Sequence, residues 1–319
     1  MTLKVIATGG TIASLADPDT GAVRPAVSAE DLVASVPGIG EVEVESVAHV
    51  NGWNVTPATM LEVARRATAA GGAVVTHGTD TIEETAFFCD ITVEADVVFA
   101  AAMRSGGEIA ADGPRNLLCA TQVASSEAAR GLGSVLVLND EIHAARWVRK
   151  QDSSRVSAMV SPGHGPVGIV VPGSVRVTMP RPRRFLVPLP DALDRPVPIV
   201  QTYTGLEEGL IETVLDATGA AGLVLEGTGL GNVPGTAERG IRAAVERGLP
   251  VVATTRVPTG GTGAIYGGPG GVVTIRDLGA MPAGPLSAAK ARLLLMLLLA
   301  EGGDVRARFE DGVDVLGGW

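Results

Sequence analysis

The sequence predicts an α/β protein made of two domains, and three observations lead to this fold class. The chain has 319 residues, which is above the size at which a single hydrophobic core usually stops growing. Short apolar runs alternate with segments of helical spacing, a pattern typical of parallel sheets covered on both faces. A proline-rich stretch interrupts this alternation. We therefore predict a larger N-terminal domain (1–178) with a mostly parallel sheet flanked by helices, a linker (179–198) and a smaller parallel-sheet domain (199–319).

The predicted elements of the first half follow its apolar pattern. A strand at Leu3–Thr8 ends at two glycines, and the apolar strand Ala73–Thr76 ends at the turn His77-Gly78. After that turn, Thr81 and Glu84 match a capping box, in which the threonine side chain caps the helix that follows. The other predicted elements of this half are the strands Val97–Ala102 and Ser134–Leu138 and the helices Met60–Ala70 and Leu117–Ala129.

The alternation breaks between Met179 and Pro198, where six prolines exclude a helix or a central strand. We interpret this stretch as a semi-rigid linker. Arg181, Arg183 and Arg184 within it are interpreted as residues that solvate the linker. Beyond it we predict the strands Ile199–Thr202, Gly222–Leu225 and Pro250–Thr254 and the helices Glu207–Thr218, Glu238–Arg247 and Ser287–Ala300, the last of these being the final helix.

The composition and the charge limit which partners the protein is expected to bind and in which cellular compartment it is expected to lie. The formal net charge of −10 disfavours binding to nucleic acid or to anionic membranes. Cys89 and Cys119 fit no zinc spacing and are predicted to be small buried thiols. Met1–Ile12 has the pattern of a strand rather than of a signal peptide, and Leu293–Ala300 is shorter than the roughly 20 residues that span a bilayer. We expect a cytoplasmic protein that has a small-molecule substrate and no nucleic-acid or membrane partner.

Three turns rich in glycine and threonine follow predicted strands, at Gly9–Thr11, His77–Thr81 and Gly227–Asn232. In open parallel sheets, ligands bind beyond the carboxyl ends of the strands, so these turns are the expected place for function. Taken alone, the first turn is more typical of a tight connection than of a site. The second turn opens a helix, and it fits an anion-binding helix N-terminus and an ordinary helix cap equally well.

Lysine is rare in this chain, which contains Lys4, Lys150 and Lys290 and otherwise uses arginine. Lysine, unlike arginine, can be neutralised by burial and then act as a base. Lys150 by itself is most simply part of a solvated basic face. Together with Thr11, Thr79 and Asp80, however, it would complete a set in which a carboxylate orients a lysine that activates a hydroxyl nucleophile. The four histidines are too scattered to suggest a metal site.

These segments resemble the bacterial L-asparaginase/glutaminase family. The resemblance rests first on the two threonine motifs, Thr8–Ala13 and His77–Thr81. It implies two α/β domains, no cofactor or metal, and a homodimer or homotetramer whose active sites are completed between subunits. Further matches run along the chain, at Glu83–Ala86, Ala101–Arg104, Ala111–Pro114 with Asn116, Asn139-Asp140, Gly165-Pro166, Arg256–Gly260 and Lys290–Arg292.

The resemblance also implies a reaction. Thr11 matches the family's nucleophilic threonine, which attacks the side-chain amide of L-asparagine; ammonia leaves, and water then hydrolyses the acyl-enzyme. Thr79, Asp80 and Lys150 match the family's second triad, in which Thr79 and Lys150 help to transfer protons and Asp80 also holds the substrate's α-ammonium group. Asn232 matches an asparagine supplied by the partner subunit.

The sequence departs from the family pattern at the substrate end. Gly52 and Trp53 stand where the periplasmic-type enzymes carry a Ser-Gln pair that grips the substrate. The tyrosine of the flexible loop is absent, and Arg24 lies near its position. Our hypothesis is that Arg24 supplies the missing carboxylate contact, since a guanidinium binds a carboxylate bidentately; a solvent-exposed role is the alternative. Tyr266 is expected to replace a family glutamate, as a tyrosine does in cytoplasmic-type relatives.

These departures leave the substrate open. L-asparagine is the expected substrate, and glutamine or a larger primary amide is the alternative, because Gly52 would leave room for it. Trp53 has an equally acceptable interpretation as a core or interface aromatic. A non-catalytic homologue that only binds an amino acid is a third possibility, against which the intact Thr11, Thr79, Asp80 and Lys150 argue. The loop 16–24, next to Thr11, is predicted to be a mobile lid.

Overall fold

The computed structural model describes residues 2–318. The chain divides into two compact units, Met1–Leu189 and Pro190–Trp319. The division falls within the stretch 179–198 that the sequence analysis treats as a linker. Each unit has its own sheet and its own apolar core.

The first unit contains twelve strands and four α-helices among the described residues. Its strands are β1 (Leu3–Gly9), β2 (Ser14–Ala16), β3 (Val23–Pro25), β4 (Val42–Val50), β5 (Ala73–Thr76), β6 (Val97–Ala100), β7 (Ser134–Leu138), β8 (Glu141–Ala144), β9 (Arg149–Lys150), β10 (Met159–Val160), β11 (Gly168–Val171) and β12 (Ser174–Val177). Its helices are α1 (Ala29–Ala34), α2 (Pro57–Ala70), α3 (Ile82–Asp90) and α4 (Gly113–Ala124). Short 3₁₀ turns cover Thr11–Ala13, Gly52–Asn54 and Glu127–Ala129.

Eight of these strands form the main sheet, in the order β12-β11-β8-β7-β6-β5-β1-β4. The five neighbouring strands β4, β1, β5, β6 and β7 are parallel. Strands β8, β11 and β12 extend the sheet with antiparallel pairing. The prediction of a mostly parallel sheet flanked by helices is confirmed. The antiparallel extension begins at the two-residue turn Asn139-Asp140, whose φ angles are 54° and 63°. Asn and Asp tolerate the left-handed conformation that such a hairpin turn requires.

The central strands are completely buried, since every residue of β5, β6 and β7 is covered. This explains why their sequences are continuous apolar runs rather than alternating ones. Helix α2 is defined by its ends. Thr56 accepts a hydrogen bond from the Thr59 N–H, Pro57 starts the helix, and Gly71 ends it with a φ of 67°.

Two local predictions in this unit are wrong. Helix α4 begins at Gly113 and ends at Ala124, not at Leu117 and Ala129, because Pro114 occupies its first turn and a separate 3₁₀ turn follows it. The capping box at Thr81 does not form, since the Thr81 side chain makes no cap hydrogen bond. Its hydroxyl instead donates to the Gly52 carbonyl oxygen at 2.6 Å. A tertiary partner has replaced the local one.

Two of the three arginines in the proline-rich stretch do more than solvate it, whereas Arg183 is exposed as expected. Arg184 donates from Nη2 to the carbonyl oxygens of Asp90 and Val93, and its side chain is only 18% exposed. Arg181 donates from Nε to the Arg130 carbonyl oxygen. The guanidinium groups of Arg181 and Arg184 thus bind the start of the proline-rich stretch to the rest of the first unit.

The second unit is built on a four-stranded, fully parallel sheet in the order β13-β14-β15-β16. Its strands are β13 (Ile199–Gln201), β14 (Leu223–Gly227), β15 (Val251–Thr255) and β16 (Met281–Pro282). Its helices are α5 (Leu210–Thr218), α6 (Ala237–Glu246), α7 (Val272–Asp277), α8 (Ala288–Glu301) and α9 (Val305–Gly317). The predicted smaller parallel-sheet domain is therefore confirmed as a fold.

Helix α8 carries the apolar run of the sequence, and residues 293–299 are all buried, as predicted. It is not the final helix, however. Gly302 and Gly303, with φ of 82° and 77°, interrupt the chain before α9 begins. Within residues 2–318, every helix falls short of the length or the hydropathy that a membrane span requires.

Both cysteines are buried and free, as predicted. Burial raises the pKa of each thiol, that of Cys119 to about 12 with a further contribution from its hydrogen bond to Asp140. Neither thiol is therefore ionised near neutral pH.

Candidate active site

Three glycines bring the carboxyl ends of β4, β1 and β5 into direct contact. A Cβ atom on Gly10 would lie 2.4 Å from the Cα and N atoms of Gly78, and one on Gly78 would lie 2.7 Å from the Cα and N atoms of Gly52. Gly10 also has a φ of 81°. Because any side chain would collide here, glycine at Gly10 and Gly78 allows the backbones to touch. We call the contact of Gly10, Gly52 and Gly78 the glycine junction.

The two threonines of the sequence motifs follow directly from this junction. Thr11, half-buried, comes after Gly10 and opens the 3₁₀ turn Thr11–Ala13; Thr79, 5% exposed, comes after Gly78. Deeper in the sheet, the Thr8 hydroxyl donates to the Thr76 carbonyl oxygen at 3.0 Å and ties β1 to β5. The residues before the two threonines are thus in backbone contact, although they lie far apart in sequence.

Lys150 joins the second threonine from a distant part of the chain. Its Nζ donates to Thr79 Oγ1 at 2.8 Å and to Asp80 Oδ1 at 2.6 Å. The lysine side chain is 18% exposed and the aspartate side chain 41% exposed. The structure therefore brings Thr79, Asp80 and Lys150 into one hydrogen-bonded group. Because the Thr79 oxygen accepts from the lysine, the threonine can still donate its own proton to a ligand.

The main chain of Lys150 is held as well. Lys150 lies in β9, which pairs with β10, and its N–H donates to Glu83 Oε2 at 2.6 Å. Glu83 lies in the first turn of α3, three residues after Asp80. The sequence does not identify this carboxylate as a partner of Lys150, because no local pattern relates residues 83 and 150.

His77 is a second residue beside the site whose contacts the sequence did not reveal. It is buried, with Nδ1 2.9 Å from the Gly78 carbonyl oxygen and Nε2 2.9 Å from Thr85 Oγ1. Burial lowers the pKa of His77 to about 4, so the ring is neutral near pH 7. A carbonyl oxygen only accepts, which assigns the proton to Nδ1 and makes the Thr85 hydroxyl the donor to Nε2. His77 braces the turn before Thr79 and is not placed to exchange protons.

The expectation that Gly52 leaves room for a larger substrate is wrong for the space beside its Cα. A Cβ atom there would lie 3.1 Å from the Gly78 carbonyl oxygen, so the backbone of Gly78 fills that space. The Gly52 carbonyl oxygen is the acceptor for the Thr81 hydroxyl. The neighbouring Trp53 is 64% exposed, which excludes a place in the core of this chain.

Arg24 lies in a small hairpin next to Thr11. Strand β3 pairs with β2, with Arg24 opposite Leu15, and the guanidinium Nη2 lies 3.3 Å from Asp17 Oδ2. The arginine side chain is 60% exposed. The other oxygen of Asp17 accepts from the N–H and hydroxyl of Thr20, and these hydrogen bonds lower the Asp17 pKa. A substrate carboxylate would thus compete with Asp17 for Arg24.

The last two predicted substrate-binding residues belong to the second unit. Asn232 accepts from the Val272 N–H through Oδ1 at 3.1 Å, and its carbonyl oxygen accepts from the Thr228 N–H at 2.8 Å. Tyr266 lies in the glycine-rich loop after β15 and is 57% exposed. Asn232 is therefore held firmly in its turn, whereas the ring of Tyr266 is open to solvent.

A solvent-open pocket of about 500 Å³ lies beside the Lys150 group. Its lining residues are all polar and three of the six are acidic: Asp80, Glu83, Lys150, Gln151, Asp152 and Ser153. Over residues 2–318, no three His, Cys, Asp or Glu side chains are close enough together to hold a metal ion.

Comparison with known proteins agrees with this architecture. The family model "Asparaginase, N-terminal" matches residues 2–183, and the model "Glutaminase/Asparaginase C-terminal domain" matches residues 196–309. A "Probable L-asparaginase" of Deinococcus radiodurans is 38% identical over 98% of both chains. "L-asparaginase 2" of Bacillus subtilis is 34% identical over 95% of this chain and 83% of its own length.

Solved structures give the same result. The crystal structure of a probable cytoplasmic L-asparaginase from Campylobacter jejuni superposes with a TM-score of 0.87 at 29% identity, covering 100% of this chain and 99% of that chain. The fold is thus shared along the whole chain. The chain belongs to the asparaginase family.

Proposed function

We propose that this protein hydrolyses L-asparagine to L-aspartate and ammonia, with Thr11 as the nucleophile. The observation that carries the proposal is the Lys150–Thr79–Asp80 group, which lies directly beyond the glycine junction that also carries Thr11. The names of the relatives from Deinococcus radiodurans and Bacillus subtilis support asparagine as the substrate.

In the proposed reaction, Thr11 Oγ1 attacks the side-chain amide carbon, and its proton passes to the amide nitrogen by way of the Thr79 hydroxyl, which Lys150 holds in place. The C–N bond then breaks, and the nitrogen that has taken up this proton departs as ammonia. Water attacks the resulting ester, one proton of the water passes to Thr11 Oγ1 as the ester bond breaks, and aspartate is released. Backbone N–H groups around Thr79 stabilise the developing oxyanion, where one donor contributes about 3 kcal/mol.

Asp80 has two tasks in this scheme. Its Oδ1 holds Lys150, and we assign Oδ2 to the α-ammonium group of the substrate. The glycine junction contributes by position, because it sets the separation of the two threonine turns without any side chain between them. Holding a nucleophile and a proton-transferring group in place around one reacting amide accounts for a large part of catalysis.

A different primary amide, such as glutamine, is the second candidate. Exposed Trp53 stands where the periplasmic-type enzymes carry glutamine, and Arg24 is engaged by Asp17 rather than free for a carboxylate. Both features alter the residues proposed to bind the substrate, and neither involves the Lys150–Thr79–Asp80 group.

The finer features of the family are proposals here as well. We propose a homodimer or homotetramer in which Asn232 of the partner subunit completes each site, with Tyr266 near the substrate. A cytoplasmic location is proposed by analogy with the Campylobacter jejuni structure, whereas one relative, from Haemophilus influenzae, is named a periplasmic enzyme.

The test is ammonia release from L-asparagine, L-glutamine and a panel of other primary amides, with Thr11→Ala as the control. We expect release from L-asparagine that is lost in the variant. Release from another amide alone would keep the mechanism and change the substrate. A folded protein that releases ammonia from no amide but binds an amino acid would instead be a non-catalytic homologue, and the proposal would be wrong.

A further inference from the structure

Residues at the start of helix α3 and in the turn before it bind both the side chain and the main chain of Lys150. Thr79 and Asp80, just before the helix, accept from Lys150 Nζ. Glu83, one turn later, accepts from the Lys150 N–H at 2.6 Å. A lysine has a flexible four-carbon stem, so the position of its ammonium group depends on how firmly its main chain is fixed.

The chain that leads to Lys150 is anchored to the other end of the same helix. Arg146 Nη2 lies 3.1 Å from Asp90 Oδ2, and these side chains are 1% and 2% exposed. Next to it, the Trp147 ring stacks on His164 with ring centroids 4.5 Å apart. The segment 146–150 therefore runs along α3, with a buried ion pair at Asp90 and the Glu83 contact at the site end.

We propose that Glu83 is a positioning residue that acts through Lys150. Its carboxylate fixes the Lys150 main chain, and this sets the ammonium group on Thr79 Oγ1 and Asp80 Oδ1. This inference rests on the proposed function, in which Lys150 holds the Thr79 hydroxyl that relays the proton of the nucleophile. Strand β9 has two residues, so its pairing with β10 supplies few ladder hydrogen bonds to do this alone.

The competing explanation is that Glu83 stabilises only the helix. An acidic residue in the first turn interacts favourably with the helix dipole, whatever Lys150 does. The two explanations differ in what the glutamine variant does. Glu83→Gln keeps an oxygen that can accept from the Lys150 N–H but removes the charge, whereas Glu83→Ala removes both.

Asp96 provides a matched control in the same unit. Its two carboxylate oxygens accept from the N–H groups of Gly131 and Gly133 at 2.7 and 2.8 Å. It lies just before β6, at the opposite end of the sheet from the site. Asp96→Ala removes the same kind of hydrogen bond and tests whether such a loss alone lowers activity.

The first experiment is steady-state ammonia release from L-asparagine by the three variants. For Glu83→Ala we expect kcat to fall about 10- to 100-fold with KM within about threefold of the wild type. Glu83→Gln should keep kcat within about fivefold, and Asp96→Ala should be less stable with kcat within about twofold. An unchanged kcat in Glu83→Ala, or an equal loss in Glu83→Gln, would overturn the inference.

The second experiment does not depend on activity. Amide hydrogen exchange at Lys150, followed in a peptide that spans residues 147–152, should be faster in Glu83→Ala and close to wild type in Glu83→Gln and Asp96→Ala. Exchange that stays slow in Glu83→Ala would overturn the inference even if the wild type hydrolysed no amide. Absence of ammonia release with the expected exchange pattern would instead refute the proposed function alone.

Discussion

The two threonine turns of the first unit are built by different means. The turn at Thr11 depends on the absence of a side chain at Gly10, which lets its backbone pack directly against the backbone of Gly78. The turn at Thr79 is shaped by polar side chains, with His77 on the Gly78 carbonyl oxygen and Lys150 on the Thr79 hydroxyl. One nucleophile candidate is thus placed by close backbone packing and the other threonine by a hydrogen-bond network.

The difference teaches how each turn should respond to change. A backbone contact tolerates no added atom, so its disruption should damage folding and activity together. A polar network that is partly exposed should affect activity more than stability, because screened ion pairs contribute little to folding. Four predictions test this contrast, in order of decreasing effect.

Gly10→Ala should have the largest effect. The added methyl group would lie 2.4 Å from the Gly78 backbone at a φ of 81°. We expect the free energy of unfolding to fall by about 3 kcal/mol and ammonia release to fall at least about 100-fold. Urea denaturation measures the free energy of unfolding, and the ammonia assay measures activity.

Gly107→Ala is the control, because its Cβ would meet only Leu15 Cδ2, at 4.0 Å. Wild-type stability of Gly10→Ala would show that the junction can open without cost.

Lys150→Met should separate activity from stability. It removes the donor to Thr79 and Asp80 and keeps a side chain of similar length. We expect kcat to fall about 10²- to 10⁴-fold, while the free energy of unfolding changes by less than about 1 kcal/mol. The control is Lys4→Met, since Lys4 forms a comparable ion pair with Glu45 at 3.1 Å, 26% and 27% exposed. If Lys150→Met unfolds as readily as Gly10→Ala, the two turns do not differ as described.

His77→Gln should change how stability depends on pH. In the folded protein the His77 pKa is about 4, below its ordinary value of 6.5, so the unfolded chain binds a proton first. The stabilisation is therefore complete above pH 6.5 and is lost as pH falls towards 4, by about 3 kcal/mol at most. Glutamine does not titrate, so the difference in unfolding free energy between pH 7 and pH 4 should be smaller in the variant.

Unfolding curves at a series of pH values measure this difference. His143, whose pKa is also lowered by burial, should leave a residual slope in the variant. Identical pH slopes in the variant and the wild type would mean that folding does not lower the His77 pKa below its ordinary value.

Gly52→Ser and Trp53→Gln should have the smallest effects on activity, and each should affect a different quantity. Each restores a residue of the periplasmic-type pattern. Serine at Gly52 would place Cβ 3.1 Å from the Gly78 carbonyl oxygen, so we expect a loss of about 1 to 2 kcal/mol and a lower kcat. Glutamine at exposed Trp53 should change stability by less than about 0.5 kcal/mol and alter KM instead. A lower KM for L-asparagine in Gly52→Ser would contradict the packing of the glycine junction.

Much of the fold was predictable from local pattern. The bounds of β5 and β7 agree with the prediction residue for residue, because a buried parallel strand needs a continuous apolar run. The edge strand β4 (Val42–Val50) was missed, because its alternation of valine and glutamate ends at Ser46. Helix α9 was missed because it follows two glycines that end the apolar run of α8.

The sequence by itself determined which chemical groups meet at the sheet edge. Thr11, Thr79 and Asp80 follow apolar strands through glycine turns, and the carboxyl ends of parallel strands share one edge. The choice of Lys150 as their partner came from the rarity of lysine and from the resemblance to a family. These inferences depend on residue type and on local pattern, which a sequence displays directly.

Only the tertiary structure decided how those groups are held. Glu83 and Lys150 are 67 residues apart, and Thr81 and Gly52 are 29 apart, so no local propensity relates them. The same holds for the glycine junction, which left no room at Gly52 because another backbone occupies it. The physical reason is that a hydrogen bond or a steric contact between distant segments depends on how the sheet brings their backbones together, and local pattern carries no record of that distance.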